Sequence, residues 1–133
     1  MSKMLILVGI PCSGKTTFAL RWVRENDNRV RVNKDEIRAI HGIRWGEHGL
    51  QVTKTEDEAI KLAMRMGFDI VVDDTNIYKQ RRDELRRLAS MYGYEVETNV
   101  FNTPLSVCLE RNRLRQPPLP ESAIVKAQAL KQI

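Results

Sequence analysis

Apolar runs alternate with amphipathic stretches along the chain. Met4-Leu5-Ile6-Leu7-Val8 is an uninterrupted apolar run, the pattern of a strand covered on both faces in a parallel sheet. A helix is expected from Lys15, because Phe18, Ala19, Trp22 and Val23 recur at helical spacing. Asn26-Asp27-Asn28 ends it, and residues 29–33 then alternate as a short second strand. Residues 35–41 read as a short helix, and three glycines over residues 42–49 mark a loop. A longer helix over 52–66 stops at Gly67, and 68–72 form the third strand. Residues 81–92 place Leu85, Leu88, Ala89 and Tyr92 on one helical face, with Gly93 just past the end. Residues 94–101 are the fourth strand. Thr103 as N-cap and Pro104 at the first helical position open the next helix, which runs to Arg115 and Gln116. Pro117-Pro118-Leu119-Pro120 breaks the chain before a last helix from about Glu121. This order predicts an α/β fold, with a parallel sheet of about four strands flanked by helices and a helical hairpin at the C-terminal end.

Composition narrows the picture. The chain has 133 residues, of which 42% are hydrophobic. That suits one domain with one core and excludes disorder over the whole length. Lys and Arg outnumber Asp and Glu by 22 to 17, a formal charge of +5 that favours anionic partners. No apolar window is long enough to span a bilayer, and the apolar start is too short for a signal peptide. A cytoplasmic protein without membrane association is expected. Cys12 and Cys108 are too few for a disulfide scaffold or a metal knuckle. His41 and His48 are seven apart and miss the helical spacing of a zinc pair.

The strongest chemical signal is Gly9-Ile10-Pro11-Cys12-Ser13-Gly14-Lys15-Thr16, which satisfies G-x-x-x-x-G-K-[ST] between a predicted strand and a predicted helix. Glycines let backbone N–H groups turn inward around phosphates, and the helix N-terminus adds its positive end. Lys15 reaches the β and γ phosphates of a nucleoside triphosphate, and the Thr16 hydroxyl serves Mg²⁺. Thr17 follows within the same turn. Val71-Val72-Asp73-Asp74 places two carboxylates at the C-terminal end of a strand, the edge where open α/β sheets bind ligands. An Asp there holds Mg²⁺ or its waters; the competing reading is a simple turn with Thr75 and Asn76.

Asn33-Lys34-Asp35-Glu36-Ile37-Arg38 follows the second strand. Asp35 is placed either to accept a proton from a hydroxyl attacking the γ phosphate or merely to cap the helix. Arg38, three residues on, shares its face and suits an acceptor phosphate. Arg111 and Arg115, four apart before the proline break, suit a helical lid that closes over ATP and neutralises transferred charge. Arg81, Arg82, Arg86 and Arg87 read as a solvated helix face beside Asp83 and Glu84. Trp45, in the glycine-rich loop, is either a base-stacking residue or a packing anchor.

Taken together, the P-loop, Asn33-Lys34-Asp35-Glu36-Ile37-Arg38, Asp74-Thr75-Asn76 and Arg111-Asn112-Arg113-Leu114-Arg115 resemble, in order and spacing, the phage-type polynucleotide 5′-hydroxyl kinases. The resemblance covers essentially the full length. It implies a single P-loop kinase domain over residues 1–133 with a lid at about 104–133. It further implies γ-phosphate transfer from ATP or another nucleoside triphosphate, with Mg²⁺, to a 5′-OH end of RNA or DNA, in the setting of nucleic-acid repair. Lys15, Asp35 and Arg115 are then catalytic, with Asp35 as general base. Gly9 through Thr17, with Arg111 and Arg115, bind the nucleotide. Asp35, Arg38, Asp74 and Asn76 bind the acceptor, with Arg38 on its 3′-phosphate. Thr16 and Asp74 serve the metal, Asp74 through water and preferred to Asp73 because it matches the family's acidic position. Cys12 departs from the family, where glycine is frequent. No phosphatase nucleophile or ligase motif is found, so neither activity is expected. Two alternatives remain: a small-metabolite or nucleoside kinase of the same superfamily, and a non-catalytic ATP-binding module.

Overall fold

The computed structural model describes residues 2–132. Four parallel strands form one sheet: β1 (Lys3–Val8), β2 (Arg29–Val32), β3 (Asp69–Val72) and β4 (Glu95–Val100). The spatial order is β2-β3-β1-β4, so β1 lies inside and each strand reaches its parallel neighbour through a helical crossover. Among the described residues six helices complete the fold: α1 (Lys15–Arg24), α2 (Lys34–His41), α3 (Gly49–Arg65), α4 (Lys79–Met91), α5 (Leu105–Arg113) and α6 (Glu121–Leu130). The α/β class and strand count agree with the sequence expectation.

Side chains of a strand alternate between faces, and β1 shows why its apolar run is continuous. Met4, Ile6 and Val8 pack on one face with Ile60, Ala63 and Met64 of α3 and Leu85 and Ala89 of α4. Leu5 and Leu7 pack on the other with Ala19 of α1, flanked by Phe18, Trp22 and Val23. A third cluster, Ile10, Cys108 and Ile124, seats the α5–α6 hairpin beneath the loop that follows β1. Phe18 and Phe101 meet edge to face with centroids 5.7 Å apart, a favoured aromatic geometry.

Three local expectations are corrected. Helix α3 begins at Gly49 rather than residue 52, after His48 in the left-handed region at φ 53°. Thr103 does not cap α5: the N-cap is Pro104, without a side-chain cap bond, and the Thr103 hydroxyl donates to the Ser13 carbonyl at 2.8 Å. Helix α5 stops at Arg113, so Arg115 lies in the following turn, where its N–H donates to the Asn112 carbonyl at 3.1 Å. Among the described residues no helix is long and apolar enough to cross a membrane.

Candidate functional site

The β1–α1 loop builds a cradle whose shape comes from a few backbone requirements. Gly9 donates its N–H to the Thr75 carbonyl at 3.0 Å, tying the loop to the end of β3. A Cβ there would meet Ser13 Oγ at 2.7 Å and Phe101 Cβ at 3.0 Å, so only glycine lets the loop lie this close. Gly14 (φ 104°) and Cys12 (φ 67°) both adopt left-handed backbone. That explains why glycine suits the Cys12 position and why cysteine there carries strain. The Lys15 ammonium donates to the Ile10 carbonyl at 2.8 Å and to Ser13 Oγ at 3.3 Å, curling back under the cradle. Burial pulls its pKa below the usual lysine value, while Asp73 and Asp74 oppose the shift.

At the floor stand the two β3-end carboxylates, and their roles differ from the expectation. Asp73, not Asp74, touches Thr16: its Oδ2 accepts the Thr16 hydroxyl at 3.2 Å and Arg31 Nε at 2.7 Å. Asp73 is 1% exposed, and its other oxygen, Oδ1, is buried without a partner among the described residues. Asp74 turns instead to α2, accepting the Lys34 backbone N–H at 2.8 Å. The Lys34 ammonium lies 3.7 Å from Asp74 and 3.6 Å from Glu56. Burial, and next to it the Glu56 carboxylate, push the Asp74 pKa well above the ordinary range against the pull of Lys34.

Asp35 and Arg38 open onto the same cleft from α2. The N-cap is Asn33, whose side-chain oxygen accepts the Glu36 N–H at 2.9 Å. Capping is therefore done without Asp35, which stays free for other chemistry. Asp35 is exposed and pairs with Arg38 Nη1 at 3.2 Å. Arg38 Nε donates to the Glu47 carbonyl at 3.0 Å, anchoring the loop that bears Trp45.

From the other side, Arg111 Nη1 donates to the Cys12 carbonyl at 3.2 Å. Arg115 reaches the same cleft from a turn held by Asn112, whose side chain bonds both the carbonyl and the N–H of Leu119 at 2.8 and 2.9 Å. The two arginines therefore share a cleft but not a helix face. The cleft encloses about 830 Å³ between the cradle, α2, the Trp45 loop and the α5–α6 turn. Pro11 through Thr17, Asp35, Arg38, Asp74, Arg111 and Arg115 all line it.

Three expected site residues lie elsewhere. Gly9 and Ile10 sit beneath the cradle; Ile10 is a core residue whose carbonyl accepts the Lys15 ammonium and the Ser13 N–H. Asn76, expected to bind the acceptor, is 4% exposed and staples the loop after β3: its amide donates to the Leu7 carbonyl at 2.8 Å and the Val72 carbonyl at 3.3 Å. Its φ of 44° suits asparagine, which tolerates left-handed backbone. The arginine cluster of α4 is likewise only partly a solvated face. Arg82 is buried and donates to the Asn76 carbonyl at 2.9 Å. Arg81 is buried among Glu56 at 2.9 Å, Asp57 at 2.8 Å and Glu84 at 3.4 Å; Arg86 and Arg87 are exposed.

Sequence reasoning missed Arg31, which pairs with Asp73 from the end of β2, and Glu56, which no solvent reaches. Arg31 had a faint signal as a charged residue in a strand one turn before the acceptor motif. Glu56 had none, being one of several acids on a helix. Among the described residues no group of three or more His, Cys, Asp or Glu is placed to hold a metal ion by itself.

Comparison with known proteins agrees with this geometry. A family model described as an AAA domain matches residues 4–133. The L-seryl-tRNA(Sec) kinase of Methanococcus maripaludis is 29% identical over 126 residues, covering 91% of this chain and 49% of the kinase. A protein of Autographa californica nuclear polyhedrosis virus, provisionally named a bifunctional polynucleotide kinase/RNA ligase, is 27% identical over 134 residues, covering 89% of this chain and 19% of that protein. A chain in the structure of the Pnkp1/Rnl/Hen1 RNA repair complex superposes with a TM-score of 0.84 at 29% identity, covering 97% of this chain and 43% of its own length. The chain thus spans about half or less of the length of these three relatives. The resemblance drawn from the motifs is borne out, and the fold is that of the P-loop kinases.

Proposed function

The chain belongs to the AAA-domain family that its residues 4–133 match, and from that premise we propose that it is an ATP-dependent polynucleotide 5′-hydroxyl kinase. One observation carries the proposal. Asp35 and Arg38, an uncapped carboxylate and an arginine 3.2 Å apart, face the same cleft as Lys15 and Thr16. A pure nucleotide binder has no use for that pair.

In this reading the cradle N–H groups, Lys15 and Thr17 hold the triphosphate. Asp35 accepts the proton of the 5′-hydroxyl as its oxygen attacks the γ phosphorus. The bond from that phosphorus to the β–γ bridging oxygen breaks, and ADP leaves with the electron pair. Arg111 and Arg115 neutralise charge on the transferred group, and Arg38 holds the acceptor's 3′-phosphate. The acceptor is a nucleic-acid 5′-OH end, and residues 104–133 act as the lid of a single kinase domain.

The donor set fits Mg²⁺. The Thr16 hydroxyl and the partnerless buried oxygen of Asp73 are hard oxygen ligands beside the phosphates. Bound there, the ion would neutralise the β and γ oxygens. Asp73 takes the role first given to Asp74, and Asp74 becomes the residue that fixes the start of α2.

Transfer from radiolabelled ATP to a panel of 5′-OH RNA, 5′-OH DNA, nucleosides and sugars tests the proposal. Labelled oligonucleotide 5′ ends are expected. Asp35→Ala should lower kcat by about 10²- to 10⁴-fold, the usual worth of a positioned base, with ATP affinity kept. Transfer to a sugar or nucleoside alone would replace the proposal with the small-molecule reading. The tRNA-directed relative favours a second reading, phosphorylation of a hydroxyl carried on a tRNA, which charged tRNA in the same panel would reveal.

A further inference from the structure

Two tryptophans are present, and among the described residues only Trp22 packs against a core cluster. Trp22 packs between α1 and the sheet, with the Arg29 guanidinium 4.3 Å above its ring. Trp45 is 43% exposed, belongs to none of the three core clusters, and lines the same cleft as Asp35 and Arg38.

Its segment is short but well held. The Glu47 N–H donates to the Arg44 carbonyl at 3.1 Å, closing a turn over residues 44–47. Gly46 takes the third place with φ 78°, the left-handed position that such turns reserve for glycine. Arg38 secures both flanks: its carbonyl accepts the Ile43 N–H at 2.8 Å and its Nε donates to the Glu47 carbonyl at 3.0 Å. One arginine thus links the proposed general base to the turn that presents the indole.

We infer that Trp45 is a specificity-determining residue that stacks the nucleobase of the acceptor's terminal nucleotide. The inference rests on the polynucleotide-kinase reading and deepens it. A 5′-OH nucleotide in a chain offers a hydroxyl, a 3′-phosphate and a flat base. Asp35, Arg38 and Trp45 match these three handles in acid–base character, charge and flatness. A sugar acceptor can pack its C–H face on an indole but lacks the aromatic π face of a nucleobase, and it carries no 3′-phosphate for Arg38. Stacking tolerates any base, so Trp45 selects for the presence of a base rather than its identity.

The test compares two 5′-OH oligonucleotides that differ only in whether the terminal nucleotide carries its base or is abasic with its 3′-phosphate kept. The native chain should show a KM about tenfold lower for the base-bearing end, within the range of a single aromatic–base stack. Trp45→Ala should raise the KM of the base-bearing end to that of the abasic one, leaving the KM for ATP unchanged. Trp45→Phe should keep most of the preference. The inference is overturned if the Ala variant still discriminates, if the native chain never does, or if the KM for ATP moves by the same factor. If the native chain phosphorylates neither oligonucleotide, the kinase reading itself fails and takes the inference with it.

Discussion

Gly9 shows how a single residue decides whether the phosphate cradle can exist. Its missing Cβ admits Ser13 Oγ and Phe101 Cβ to within 2.7 and 3.0 Å of where that atom would stand. Its N–H also locks the loop to Thr75. Gly9→Ala is expected to destabilise by about 1–3 kcal/mol, the range for overpacking, and to weaken ATP binding because Ser13, a partner of Lys15, must move. Urea unfolding with nucleotide titration checks this; unchanged values in both would remove the steric argument. At this scale much of the site was legible in the chain. Lys15 and Thr16 announce themselves through the phosphate-loop motif, whereas Asp35 and Arg38 drew their proposed roles from the family resemblance. The choice between Asp73 and Asp74 was not legible. Adjacent residues at a strand end point to opposite sides, and which side holds the cradle is settled by how β3 lies against β1. The motif match favoured Asp74; the hydrogen bond to Thr16 belongs to Asp73.

The elements are coupled by buried charge as well as by apolar packing. Glu56 of α3 receives Arg81 from α4 and faces Lys34 of α2. A carboxylate with no exposure thus joins three helices behind the acceptor side. Burial works against the Arg81 charge, but its bonds to Asp57 and Glu56 outweigh it and raise the pKa. Removing one partner of such a pair leaves the other charged in a dry place. Arg81→Ala should therefore cost about 3 kcal/mol, whereas Arg81→Met combined with Glu56→Gln should recover much of the loss. Denaturant midpoints of the three chains measure this, and a mild effect of Arg81→Ala alone would show that Lys34 suffices for Glu56. Periodicity found α1 and α4 because one face of each is apolar and meets the core. It misjudged α5 at both ends. Thr103 has a better acceptor in the cradle than in its own helix, and Asn112 draws the chain into a turn before Arg115. Both partners are distant in space from what local capping rules consider.

Across the whole molecule, the buried Asp74 carboxyl links stability to pH. Folding raises the Asp74 pKa above its ordinary 3.8, so the folded chain keeps a proton that the unfolded chain loses. The sign follows from linkage: the contribution is fully present below pH 3.8 and is lost as pH rises through the raised value. Asp74→Asn cannot titrate there, and its side-chain oxygen can still accept the Lys34 N–H. The stability of the native chain relative to this variant should fall as pH climbs from about 4 toward neutrality, read by urea unfolding across that range. Parallel curves would mean that Asp74 ionises normally in the fold. The formal charge of +5 also reads differently once folded: Lys15, Arg38, Arg111 and Arg115 converge on one cleft, while Arg81 and Arg82 are spent on buried partners. The chain by itself determined the α/β class, the four strands and the phosphate-loop motif, because each follows from periodicity or from chemistry within a few residues. Only the tertiary structure decided which aspartate meets Thr16, that Asn76 is a staple, that Glu56 is buried, and that Trp45 lines the same cleft as Asp35. Those facts depend on contacts between segments tens of residues apart, which no local pattern encodes.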